Sequence, residues 1–165
     1  MIFSEVVEGA GQTLLRSGEH RPTILVAFEG LSTPVRRTLR SFPATAEQRQ
    51  HVLFLEGQQL GNQYSTWKVQ RVWFISEGWM SLADPHRWQA ISPSRDPKRR
   101  EVLLVLELDA TSDDLKQRLE IREMRRNTKK KLKALSAVPE LSSESAQAPV
   151  TPHGVLALSL PFGVR

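Results

Sequence analysis

Residues 67–79 alternate with the period of a strand: Trp67, Val69, Arg71, Trp73, Ile75, Glu77 and Trp79 share one parity, while Val72 and Phe74 share the other. Apolar residues on both parities at 72–75 predict a strand buried on both faces. "REVLLVLELD" at 100–109 predicts a second, and the two are expected at the centre of a sheet. "TILVAFEG" at 23–30 and "PVRRTLRSF" at 34–42 read as two further strands joined through "GLSTP". Helical spacing appears twice. Val6, Val7, Ala10 and Leu14 fall on one face behind Ser4 as N-cap, predicting a helix that ends near Gly18. Thr45 followed by Gln48 fits a capping box, Val52, Leu53, Leu55 and Leu60 supply an apolar stripe, and Gly61-Asn62 stops it, predicting a helix at about 45–60.

Gly78 interrupts the strand pattern and predicts a bulge, which would turn Trp79 away from the face of Trp73. Between Met80 and Arg99 the prolines 85, 93 and 97 and the lack of any period predict a long loop. The segment after Asp109 fits two structures. As a helix it has Ser112 as N-cap, Asp113 and Asp114 in the first turn and cations at its end, all correctly signed for the helix dipole. As a hairpin it pairs "RLEIREMR" with "KLKALSAV" across "NTKK". The pattern alone leans toward the helix. The expected architecture is α+β, a mainly antiparallel sheet with one or two packed helices over residues 1–138. An extended Pro/Ser/Ala-rich C-terminal tail follows over 139–165, closing on the apolar "GVLALSLPFGV".

The succession of "FISEGWMS", a proline-containing loop, "SPSRDPKRREVLLVLELD" and "LEIREMRR" resembles a group of small bacterial and phage-associated proteins to which no activity is attached. In that group a strand ending Ser-Glu-Gly/Ala-Trp-Met is followed by Pro-Ser-x-Asp-Pro-x-Arg-x-Glu-Val. The resemblance covers roughly residues 45–138. It implies that Leu119–Arg126 begins a β-hairpin, and with that implication the hairpin becomes the expectation. A turn-like glycine of the related chains is missing from the "NTKK" region here.

Composition adds boundaries to this picture. A chain of 165 residues, 39% hydrophobic and 25% charged, has the size and make-up of one globular domain. It contains no cysteine, which removes disulfides, thiolate nucleophiles and thiolate metal sites. Glu5 and Glu8 lie within the first apolar stretch, so a signal peptide is not expected there. No apolar run approaches the ~18 residues that cross a bilayer, and the expected location is the cytoplasm. The net charge is +5 and the pI about 10.0. From Arg95 to Lys133 thirteen Lys/Arg stand against eight Asp/Glu, so this segment alone carries an excess equal to that of the whole chain.

Three functional classes are compatible with these residues. The leading expectation is a non-enzymatic accessory or interaction protein with an unidentified protein partner, associated by resemblance with phage or mobile elements. The second is a sequence-independent nucleic-acid binder whose phosphate contacts come from Arg122, Arg125, Arg126, Lys129, Lys130 and Lys131. Tryptophans 67, 73, 79 and 88 could add base stacking beside Arg71, Arg87 and Arg95, although a strand tryptophan is more commonly core. The third is a metal-dependent hydrolase at Glu77, Glu107 and Asp109. For Glu77 the expected role is structural, paired with an arginine from 95–100. The four histidines show no metal-ligand spacing, and no nucleophile elbow, phosphate loop or dinucleotide fingerprint is present, so neither a cofactor nor a catalytic residue is assigned.

Overall fold

A computed structural model describes residues 1–43, 45–80, 97–112, 115–138 and 143–145. In chain order the elements are α1 (Phe3–Ser17), β1 (Thr23–Phe28), β2 (Val35–Thr38), α2 (Ala46–Gln63), β3 (Val69–Met80), β4 (Arg100–Asp109), β5 (Lys116–Arg126), β6 (Leu132–Ala137) and β7 (Ser143–Ser145). The strands form one antiparallel sheet in the order β2-β1-β3-β4-β5-β6, with β7 pairing the start of β5 on the same edge as β6. The protein is therefore α+β, with β3 and β4 at the centre. The loop expected at 80–99 and the linker expected beyond Pro139 lie mostly outside the described residues.

Both faces of the sheet are covered, which is why the central strands read as apolar on both parities. Val72, Phe74, Val102, Leu106, Leu108, Leu119 and Ile121 form one core with Leu53 and Leu60 of α2. Trp73, Ile75, Leu103, Val105 and Met124 form the other with Val6, Val7, Ala10 and Leu14 of α1. Strand residues reach each core with period 2 and helix residues with spacings of three and four, so each layer displays its own period on the surface it buries.

The helix ends depart from the expected ones in detail. Ser4 does not cap α1: the cap is Ile2, whose extended backbone donates its N–H to Glu5 Oε2 at 2.8 Å, leaving Ser4 inside the first turn. A carboxylate three residues on satisfies the free N–H and the positive helix end together. At the other end Gly18 takes the left-handed conformation at φ 79° and donates to the Leu14 carbonyl. Thr45 caps α2 as expected, accepting from the Gln48 N–H. Leu55 is 42% exposed and not part of the stripe, because the buried set is Leu53, Gly57 and Leu60, and residue 55 points away from it.

Gly78 does not make a bulge. The pairing of β3 with β4 runs without a shift from Arg71↔Asp109 to Met80↔Arg100, so Trp79 remains on the face of Trp73 and Glu77. Ten consecutive pairs hold this stretch in a regular pleat, and a Cβ at Gly78 would lie 3.4 Å from Leu104 Cδ1.

The segment with two readings is the hairpin of β5 and β6. Leu119 pairs with Leu106 and Ile121 with Leu104, extending the core from β4, an opportunity that a helix at this place would leave unused.

Candidate nucleic-acid interface

Antiparallel pairing brings the end of β3, the start of β4, the end of β5 and the start of β6 to one end of the sheet, through Met80↔Arg100, Val102↔Glu123 and Arg125↔Ala134. Two basic segments far apart in the chain thereby meet. Residues 98–100 contribute Lys98, Arg99 and Arg100, and residues 125–133 contribute Arg125, Arg126, Lys129, Lys130, Lys131 and Lys133. Arg100 and Arg126 hold acids. Arg100 bonds Glu123 at 3.1 Å, and Arg126 holds both oxygens of Glu101, at 2.6 and 2.8 Å, while its Nη1 reaches the Gly18 carbonyl at 3.4 Å. The Glu101 bonds raise the pKa of Arg126, tying down the C-terminal end of α1 with a permanent charge. Arg125, Lys129, Lys130, Lys131 and Lys133 are exposed and have no acid at ion-pairing distance among the described residues.

The lysines are presented by a rigid turn. Asn127 receives the Lys130 N–H on its carbonyl at 2.9 Å and the Lys131 N–H on Oδ1 at 2.9 Å, and it donates its own N–H to the Lys131 carbonyl at 2.8 Å. Lys130 carries the left-handed conformation, φ 59°, that a glycine would ordinarily supply. This answers the missing glycine of the "NTKK" region. A lysine is strained there, and the turn is closed by the Asn127 side chain instead.

Trp79 is 50% exposed on the same end of the sheet, with the Arg99 guanidinium 4.4 Å from its ring centroid. Its exposure follows from where the helical layer stops. After Gly18 the chain turns back toward β1, and the His20 N–H donates to Glu77 Oε1, so α1 and its turn cover the row of Glu77 and leave the next row open.

The six cations expected from the sequence thus divide. Arg122 bonds Glu8 at 2.8 Å and Glu120 at 3.3 Å, clamping α1 to the sheet, and Arg126 does the same at the helix end. Arg125, Lys129, Lys130 and Lys131 face solvent. Sequence reasoning missed Lys133 and the contribution of residues 98–100. The signal lay in the register, since a hairpin pairing with β4 necessarily returns its tip to the start of β4. Arg87, Trp88 and Arg95 lie outside the described residues.

The three acids of the hydrolase reading are not brought together. Glu77 faces Leu103 across the strands, whereas Glu107 and Asp109 lie four and six residues farther along β4, roughly 13 Å or more at strand rise. Among the described residues no three His, Asp or Glu side chains are grouped to hold a metal ion. Each acid has its own structural partner. Burial raises the carboxyl pKa of Glu77, opposed by the His20 N–H, so its partner is a backbone amide where an arginine from 95–100 was expected; Arg100 is engaged with Glu123. Glu107 is 1% exposed, its Oε2 accepts from Trp73 Nε1 at 2.6 Å, and Arg118 Nη1 stands 3.7 Å from Oε1. Burial raises its pKa against those two partners. Burial also opposes ionisation of Asp109, but bonds from Thr111 and Arg71 outweigh it and hold that carboxyl below its ordinary value. His20 is buried, with Nδ1 2.9 Å from the Arg21 carbonyl, and burial lowers its pKa. His51 is exposed, and His86 and His153 lie outside the described residues.

No protein-family model matches the chain, and no curated protein or solved structure matches it. Among the described residues no helix is long and apolar enough to cross a membrane.

Proposed function

We propose that the protein is an accessory factor that binds nucleic acid without reading its sequence, using the basic end of the sheet to neutralise phosphates. One observation carries the proposal: Arg125, Lys129, Lys130, Lys131 and Lys133 are exposed and have no acid at ion-pairing distance among the described residues. Paired surface charges are already neutralised, but unpaired cations held on a rigid turn attract a polyanion and release its counterions. The turn supplies charge and no groove-reading helix, which suits contact with phosphates over contact with base edges.

Fluorescence anisotropy of a labelled mixed-sequence oligonucleotide, titrated at several salt concentrations, tests the proposal. Affinity should fall with salt, and engagement of about four phosphates gives a log-log slope of roughly −3 to −4. Replacing Lys129, Lys130 and Lys131 with glutamate should abolish binding while the thermal unfolding curve stays within about 0.5 kcal/mol of wild type, as for surface changes generally. Binding indifferent to salt, or unchanged in the triple variant, would reject it.

A further inference from the structure

Resting on the nucleic-acid reading, we infer that this surface takes single strands in preference to duplexes, with Trp79 stacking an unpaired base while the neighbouring cations hold the phosphates. Trp79 pairs with Glu101 in the register and is 50% exposed, whereas Trp73 on the same face is completely buried. Among the described residues the turn after α1 stops one row short of Trp79, pinned by the bond from His20 to Glu77. The ring is held by Arg99 at 4.4 Å, which places a cation against an exposed aromatic face. An exposed aromatic ring among cations meets both demands of a single strand, a π-face for the base and positive charge for the backbone. A duplex offers only the second, because its bases are stacked on one another along its length.

Trp67 supplies the contrast. It is also partly exposed, at 41%, but it lies against Gly30, whose added Cβ would sit only 2.7 Å from the ring, and it precedes the opposite end of β3. That ring has a structural seat and lies at the far end of β3 from Lys129–Lys131. Trp79 has the cations.

Anisotropy with a labelled oligothymidine and with a duplex of equal length separates the two proposals. The full chain should prefer the single strand, and Trp79→Ala should lower the ratio of single-strand to duplex affinity by about tenfold, the scale of one lost base stack. Trp79→Phe should keep most of the preference, and Trp67→Ala should keep all of it. A second readout is intrinsic fluorescence: oligothymidine should quench the wild-type protein more than Trp79→Phe, in which the stacking indole is absent. If the ratio is unchanged in Trp79→Ala, or the two proteins quench equally, stacking is overturned while phosphate binding stands. If neither nucleic acid binds at low salt, the underlying proposal fails as well. Should Trp79→Ala prove unfolded by circular dichroism, the quenching comparison with Trp79→Phe decides alone.

Discussion

Replacing Trp73 with phenylalanine should destabilise the protein in a pH-dependent way, because the indole N–H is a hydrogen-bond donor to a buried carboxylate. Trp73 is fully buried, Glu107 is 1% exposed, and Nε1 to Oε2 is 2.6 Å. A hydrogen bond to a charged buried group contributes about 1.5–3 kcal/mol. The smaller ring leaves a void costing roughly a further 1 kcal/mol. The combined loss of about 2.5–4 kcal/mol corresponds to a Tm drop of roughly 5–16 °C for a chain of this size. The pH dependence separates the two contributions. Burial raises the Glu107 pKa above 4.5, while Trp73 and then Arg118 oppose the rise. A raised acid contributes stability that is fully present below its unfolded pKa and is lost as pH rises through its folded pKa. Removing the Trp73 donor lifts the folded pKa further and deepens that loss. The deficit of Trp73→Phe relative to wild type should therefore be largest near pH ~8 and shrink toward pH ~4. Urea unfolding followed by circular dichroism at both pH values measures it. Adding Glu107→Leu to Trp73→Phe should recover stability at the higher pH, since removing both partners is milder than orphaning one, and Arg118, 39% exposed, can turn to water. A deficit equal at the two pH values, or a double variant less stable than the single one, would refute the reasoning.

Other perturbations test the frame that holds the basic end in place. Gly30→Ala should cost about 2 kcal/mol or more, because φ is +87° and the new Cβ would lie 2.7 Å from Trp67; unchanged urea unfolding would mean that Trp67 does not rest there. Lys130→Gly should stabilise by up to about 1 kcal/mol by relieving the left-handed lysine at φ 59°, while weakening the proposed binding by one cation; a lower Tm would contradict the turn geometry. Arg126→Ala should cost about 1–3 kcal/mol by releasing Glu101 and the end of α1, and Arg126→Lys should recover only part, since an ammonium cannot hold both carboxylate oxygens. A thermal scan of Arg126→Ala indistinguishable from wild type would show that the pair holds nothing.

Much of the fold was legible along the chain, because periodicity is a local property. The two-sided burial of Val72–Ile75, the Thr45 cap, the Gly18 stop and the antiparallel α+β class follow from patterns a few residues long. The misreadings also had local causes. Gly78 has the signature of a bulge, yet pairing on β4 keeps it regular, and Leu55 matched an apolar count but not the helical angle. The segment 113–135 has good helix signals at both ends, and only the open edge of β4 makes a hairpin the better use of Leu119 and Ile121.

By itself the sequence determined which residues are charged, which are apolar, and the periodicity that marks most of the strands and both helices. It could not separate the arginines that clamp the fold from Lys129, Lys130, Lys131 and Lys133, which have no acid partner among the described residues, since Arg122 and Arg126 owe their partners to residues of α1 and β4 remote in the chain. Nor could it bring residues 98–100 to the same end as 125–133, which is a consequence of strand register, or leave Trp79 uncovered, which depends on where the turn after α1 is pinned. Pairing between distant residues is decided by the competition of all strands and helices for the same two buried faces. Only the folded chain resolves that competition.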